Sequence, residues 1–244
     1  MRHDRVLPWD GCCNVRDLGG IETRDGGRTE FRGIVRAENV EHLTATGWAA
    51  LAAYGVRTVI DLRNDDELGA DNAPRPDSVT TVRLPIDDAA DTQMWDFFES
   101  EGYGGLGPLY YPEFMRRKPE RCAAAVSAIA QAGPGVVLVH CAAGRDRTGL
   151  VSMLALALAD VPAERIADDH AMSDELVATV CLPDGQVRTP AAFDHLYADR
   201  GTTPARIIDE LVGGAALGVD LPTYLRNGGA TDADLANVRA RLRR

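Results

Sequence analysis

Residues 135–159 constrain the fold more than any other stretch: the unbroken apolar run GVVLV leads through His140-Cys141 into the loop AAGRDR, and TGLVSMLALALA follows as an apolar helix. A strand apolar on both faces needs cover on both, which is the position of a central parallel strand. Val56–Leu62 (VRTVIDL) and Thr80–Ile86 (TTVRLPI) read as further strands, and helices are predicted over Leu43–Tyr54, with Thr44 as cap, and over Pro119–Gln131. Residues 162–244 read as amphipathic helices, among them Pro190–Ala198, Thr203–Leu211 and Asp232–Leu242, with breaks at Gly213-Gly214 and Gly228-Gly229. Strands alternating with helices, with no repeat or linker between them, predict the α/β class: one domain over 1–244 with a central, mainly parallel sheet flanked by helices. Ligands bind such sheets beyond the carboxyl ends of the strands, and Cys141 sits at one of those ends.

Charge narrows the partners. The net charge is −11 and Lys118 is the only lysine, so the surface field repels nucleic acid and anionic membranes. A phosphate ligand then needs a pocket where arginines and backbone amides reverse the sign locally. The start MRHDRVLPWDGCCN is unlike a secretory signal, and Leu150–Ala159, the longest apolar stretch, is too short to span a bilayer. A cytoplasmic chain without stable membrane insertion is expected. Cysteines 12, 13, 122, 141 and 181 form no C-x-x-C pair and no zinc-binding spacing, so all except Cys141 read as free, packed thiols.

Cys141 and Arg147 frame a Cys-x5-Arg spacing. Alone it is weak, since five cysteines in an arginine-rich chain meet it by chance in about one such sequence in two. Context gives it weight: a buried strand enters the cysteine, a glycine permits a tight loop, and a helix starts just after the arginine. A cysteine facing a helix N-terminus and an arginine favours its thiolate, the nucleophilic form. Successive N–H groups of Ala142, Ala143, Gly144, Arg145, Asp146 and Arg147 can curl into an anion-binding nest. Arg147 adds a fork for two phosphate oxygens, and the Thr148 hydroxyl can donate to the sulfur as it leaves. Phosphoryl transfer asks mainly for such positioning and neutralisation, so no cofactor or metal is called for. The leaving group still needs a proton from a carboxylic acid. Asp87, Asp88 and Asp91 follow the Thr80–Ile86 strand, and Asp146 inside the loop competes with them.

HCAAGRDRTG resembles the phosphate loop of the protein tyrosine phosphatase superfamily, especially a bacterial branch whose loop reads His-Cys-x-x-Gly-Lys-Asp-Arg-Thr-Gly and whose members act on phosphotyrosine and phosphoinositides. NVRDLGG (Asn14–Gly20), then Asp61, Leu62, Arg63 and Glu67, and finally Tyr224-Leu225 followed by Asp232–Leu242, are similar to other parts of that branch. The resemblance implies a tyrosine-phosphatase-like fold with Cys141 as nucleophile and Arg147 as phosphate clamp. It also implies Asp88 as general acid, because Leu84–Asp88 resembles the strand and loop that bear it; Asp87 and Asp91 are then left to solvate the loop. Arg145 stands where the branch carries lysine. Residues 94–118 fall where related enzymes carry variable, lid-like elements. His140 is expected to be structural, Asp61 and Arg63 to form a strand-end pair or face the site, and Arg16 and Asp17 to line the pocket or form a surface turn.

The expected function is hydrolysis of phosphate monoesters through a phosphocysteine, with a phosphotyrosine protein or phosphoinositide as substrate. A phosphorylated small metabolite (sugar or nucleotide) is the alternative. A non-catalytic phosphate-binding module is disfavoured by the intact Cys141, Arg147 and Thr148, and sulfur transfer by the loop length.

Overall fold

Alternate residues of one strand divide the molecule into its layers. In the computed structural model, which describes residues 3–69, 73–102, 107–176, 180–181, 187–188 and 190–243, strand β5 (Val136–His140) is buried along its whole length. Val137 and Val139 face one core with Leu150, Leu154 and Val126, while Val136 and Leu138 face a second with Trp48, Leu51 and Val59. Side chains alternate across a strand, so covering both faces explains why β5 is apolar throughout.

Strands β1 (Arg16–Asp17), β2 (Ile34–Ala37), β3 (Val56–Asp61) and β4 (Thr80–Arg83) complete a sheet ordered β1-β2-β5-β3-β4. All neighbours are parallel except β1 against β2. The α/β class with a mainly parallel sheet is therefore as expected. Helix α1 (Ala45–Tyr54), capped by the Thr44 side chain, covers one face. The other carries α4 (Pro119–Gln131) and α5 (Asp146–Leu158), then α6 (Ala163–Leu176), α8 (Pro204–Val212), α9 (Leu221–Asn227) and α10 (Asp232–Leu242).

Three boundaries differ from the sequence expectations. The strand expected over Thr80–Ile86 stops at Arg83, ahead of Pro85, although Leu84 N and Ile86 N still donate to Asp61 O and Leu62 O. The stretch read as purely helical holds, besides α7 (Pro190–Ala198), two short antiparallel strands, β6 (Val180–Cys181) and β7 (Val187–Arg188). Residues 94–118 supply α2 (Thr92–Ser100) and α3 (Gly107–Arg117), whose Phe98, Tyr110, Tyr111 and Phe114 belong to the main core; 103–106 lie outside the described residues. Among the described residues no helix is long and apolar enough to cross a membrane.

Candidate active site

The turn from β5 into α5 is shaped from outside by donors that take its carbonyls. Asn39 N donates to Ala142 O at 2.9 Å, Asn14 Nδ2 to Ala143 O at 2.9 Å, and Arg36 Nη2 to Gly144 O at 2.8 Å. In a trans peptide the N–H points opposite the C=O, so outward carbonyls turn the amides of Ala143, Gly144 and Arg145 inward. The inner side of the turn is thus a ring of donors at the start of α5, where helix amides already lack partners. Gly144 makes the curl possible: its φ is +67°, and a Cβ there would stand 2.4 Å from Ala37 O.

Cys141 is 2% exposed at the strand end. Behind it His140 Nδ1 lies 3.1 Å from Cys141 O, and Nε2 lies 3.7 Å from Asp61 Oδ1. Burial pulls the His140 pKa down to about 4 against the partial opposition of Asp61, so the ring is neutral at pH 7 and structural. The Thr148 hydroxyl is fully buried and makes no hydrogen bond among the described residues. A buried hydroxyl without a partner is costly, and an anion seated in the turn, or the thiolate, supplies an acceptor.

Arg147 is aimed by Glu67. Its Nη2 donates to Glu67 Oε1 at 2.6 Å and its Nη1 to Oε2, while Glu67 is itself fixed by Asn64 N at 2.8 Å. Burial works against the guanidinium's charge, but the bond to Glu67 and the charges of Cys141 and Asp87 outweigh it and raise its pKa above the ordinary value. Asp87 Oδ2 lies 3.4 Å from Arg147 Nε. Burial pushes its pKa up to about 6; Arg147 opposes this, and Glu67 and Asp146 add to it. Asp146 Oδ1 accepts from Gly107 N at 2.6 Å and from Arg145 Nη1 at 2.5 Å, linking the turn to α3. Arg145 is buried and also donates to Asp174 at 2.5 Å, so it braces Asp146 from behind.

Asp88, the acid expected from sequence, is placed differently. Its carboxylate pairs with Lys118 Nζ at 2.8 Å and lies 3.6 Å from Arg121, and the Lys118 bond lowers its pKa. Asp91 caps α2 and also pairs with Lys118. Asp87, expected only to solvate the loop, is the carboxyl of this segment that reaches Arg147. The reason is tertiary: the tail of β4 stays hydrogen-bonded alongside β3 as far as Ile86, which makes Asp87 the first carboxyl past the sheet edge. Asp61 and Arg63 do form a strand-end pair, at 2.8 Å, extended to Glu41 and Arg83. Arg16 and Asp17 neither line the pocket nor form a surface turn; both are fully buried. Asn14, Arg36 and Asn39 were missed as loop-shaping residues, because tertiary bonds between distant segments carry no local pattern.

Known proteins resemble this chain along much of its length. The chain is 26% identical to the triple specificity protein phosphatase PtpB of Mycobacterium tuberculosis over 98% of both chains. It is 34% identical to a tyrosine-protein phosphatase of Nostoc commune over 57% of this chain and 48% of that one. It is 29% identical to a Cupriavidus necator protein, provisionally named a tyrosine-protein phosphatase, over 71% of this chain and 64% of that one. The match thus spans just under half of the Nostoc commune relative and just under two thirds of the Cupriavidus necator one. The model of the tyrosine phosphatase family matches residues 7–244, and with that match across nearly its whole length the chain belongs to the tyrosine phosphatase family.

Proposed function

We propose that the protein hydrolyses phosphate monoesters through a phosphocysteine at Cys141. The observation that carries this reading is the ring of inward amides beside Cys141 and Arg147, held by donors on the outward carbonyls of Ala142, Ala143 and Gly144. The Cys141 thiolate forms the S–P bond as the P–O bond to the leaving group breaks. Arg147 and the loop amides hold the equatorial oxygens, and the leaving oxygen takes a proton from a carboxyl beside Arg147. Water then attacks the phosphocysteine, phosphate departs, and Thr148 stabilises the released thiolate. Proton transfer falls to Asp87, with Asp146 in the loop as the competing carboxyl, and not to Asp88: Asp87 is pushed up to about 6 by burial and keeps its proton closest to neutral pH, whereas Asp88 is kept ionised by Lys118.

Burial of the sulfur favours a phosphate carried on a slender stem, and phosphotyrosine fits this better than a phosphate set directly on a compact sugar. The name of PtpB makes a range of substrates the natural comparison. Free thiols at Cys12, Cys13 and Cys122 fit a reducing, cytoplasmic setting. The test is p-nitrophenyl phosphate hydrolysis in the presence of a chelator, followed by phosphate release from phosphotyrosine peptides, phosphoinositides and sugar phosphates. Cys141→Ser should abolish turnover and Arg147→Lys reduce it at least about 100-fold, the scale of losing an oxyanion donor. Undiminished turnover in Cys141→Ser rules the mechanism out.

A further inference from the structure

Behind the phosphate loop, Arg36, which holds Gly144 O, belongs to a wider buried cluster. Three guanidinium groups meet one carboxylate, Asp169 on α6: Arg5 Nη1 at 2.7 Å, Arg16 Nε at 3.1 Å and Arg36 Nη1 at 2.6 Å. All four side chains are buried, Arg5 the least at 7% exposed. Two of the arginines reach the loop with their remaining donors. Arg36 Nη2 holds Gly144 O at 2.8 Å and Arg145 O at 3.3 Å. Arg16 Nη1 donates to Asn14 Oδ1 at 2.5 Å, and Asn14 in turn holds Ala143 O. Arg5 does not: its other bonds go to Asp17 O and Met172 Sδ.

One carboxylate leaves a cationic excess among these groups. The Arg16 pKa is lowered to about 9, first by burial and next by Arg36, with Asp169 restoring only part. The neighbouring His170 is pulled well below its ordinary value by burial and then by Arg145, Arg36 and Arg16. Two further carboxylates stand nearby without a direct ion pair to the cluster: Asp17, held by Tyr54 and the Arg32 amide, offsets part of the excess through its attraction to Arg5, and Glu38 is held by the Cys13 and Asn14 amides. Uncompensated buried charge is destabilising, and a dianion across the loop offsets it. A cation bonded to a carbonyl also polarises that peptide, strengthening the N–H on its other side.

We propose that Arg36, Arg16 and Arg5, gathered on Asp169, form a cationic backing to the phosphate loop that positions its carbonyls and tightens its hold on phosphate. They are positioning residues, and the inference rests on reading residues 141–147 as the phosphate site. In an acidic chain this backing is what reverses the local sign.

The test is the competitive inhibition constant of inorganic phosphate against p-nitrophenyl phosphate, measured alongside melting temperature on the full chain. Arg5→Gln removes a charge that touches no loop atom and should raise that constant about 3–10-fold, the scale of one charge acting through protein at roughly 10 Å. Arg36→Gln should raise it further, with partial recovery in Arg36→Lys. Asp169→Asn adds to the excess, so it should melt lower yet bind phosphate more tightly, and phosphate should raise its melting temperature more than that of the wild type. A purely structural cluster would weaken binding in every variant in step with lost stability. That result, or an unchanged constant in Arg5→Gln and Arg36→Gln, overturns the proposal. Should Asp169→Asn fail to fold, the Arg5→Gln and Arg36→Lys results decide. Calorimetry of phosphate binding to Cys141→Ser keeps the readings apart: turnover surviving in Cys141→Ser sinks the site assignment, whereas unaltered phosphate affinity in the arginine variants sinks only the backing.

Discussion

A single step along the chain separates Asp87, 3.4 Å from Arg147 and pushed up to about 6 by burial, from Asp88, held ionised by Lys118. Asp87→Asn and Asp146→Asn should therefore slow hydrolysis of alkyl phosphates far more than that of p-nitrophenyl phosphate, whose leaving group needs no proton, while Asp88→Asn leaves the ratio unchanged. A leaving-group series checks this, and a large selective loss in Asp88→Asn alone would return the role to that residue. With a poor leaving group, turnover should fall as pH rises through about 6, because Asp87 gives up its proton there. The same residue affects stability. Asp87 has its pKa raised from 3.8 to about 6, so between those values the folded state binds more protons and acid favours folding. His140 is lowered from 6.5 to about 4, so over nearly the same window the unfolded state binds more protons and acid opposes folding. The two offset each other. Asp87→Asn removes the first, and its denaturant midpoint should drop more between pH 7 and pH 4.5 than that of the wild type.

At the scale of elements, the site is the junction of β5 with α5, held by β2 and the segment following it. Gly144 is its tightest point. Gly144→Ala must accept a positive φ costing about 1–2 kcal/mol and a Cβ 2.4 Å from Ala37 O, so either the loop or β2 shifts. The expected result is a lowered melting temperature with a larger loss in kcat/KM than in stability, since the carbonyl anchors move with the loop. Thr148 lies in the first turn of α5, and its buried hydroxyl has no hydrogen-bond partner among the described residues. Thr148→Ala should slow phosphocysteine breakdown more than its formation, visible as a larger burst of p-nitrophenol in rapid mixing; an unchanged burst would leave the hydroxyl without a catalytic part.

Over the whole molecule, the C-terminal helix closes the core far from the catalytic turn. Thr231 caps α10 in a box completed by Asp234, which also accepts from Ser127 and Gln131 on α4, each at 3.1 Å, while Leu242 O accepts from Glu30 N at 2.9 Å. Leu235, Val238 and Leu242 are buried, each contributing about 1.5–3 kcal/mol against a total stability of roughly 5–15 kcal/mol. Removing residues 231–244 should abolish cooperative unfolding as followed by circular dichroism, and activity with it. The local sequence determined what depends on local physics: the apolar β5, the glycine turn, the helix after it, Thr44 as cap, and the Cys141–Arg147 spacing, since each rests on periodicity or on residues within a few positions. Tertiary structure alone decided that Asp87 turns to Arg147 while Asp88 turns to Lys118, and that Arg5, Arg16 and Arg36 converge on Asp169. Those outcomes depend on which distant charges share a low-dielectric space, and a chain acquires that arrangement only when its segments pack.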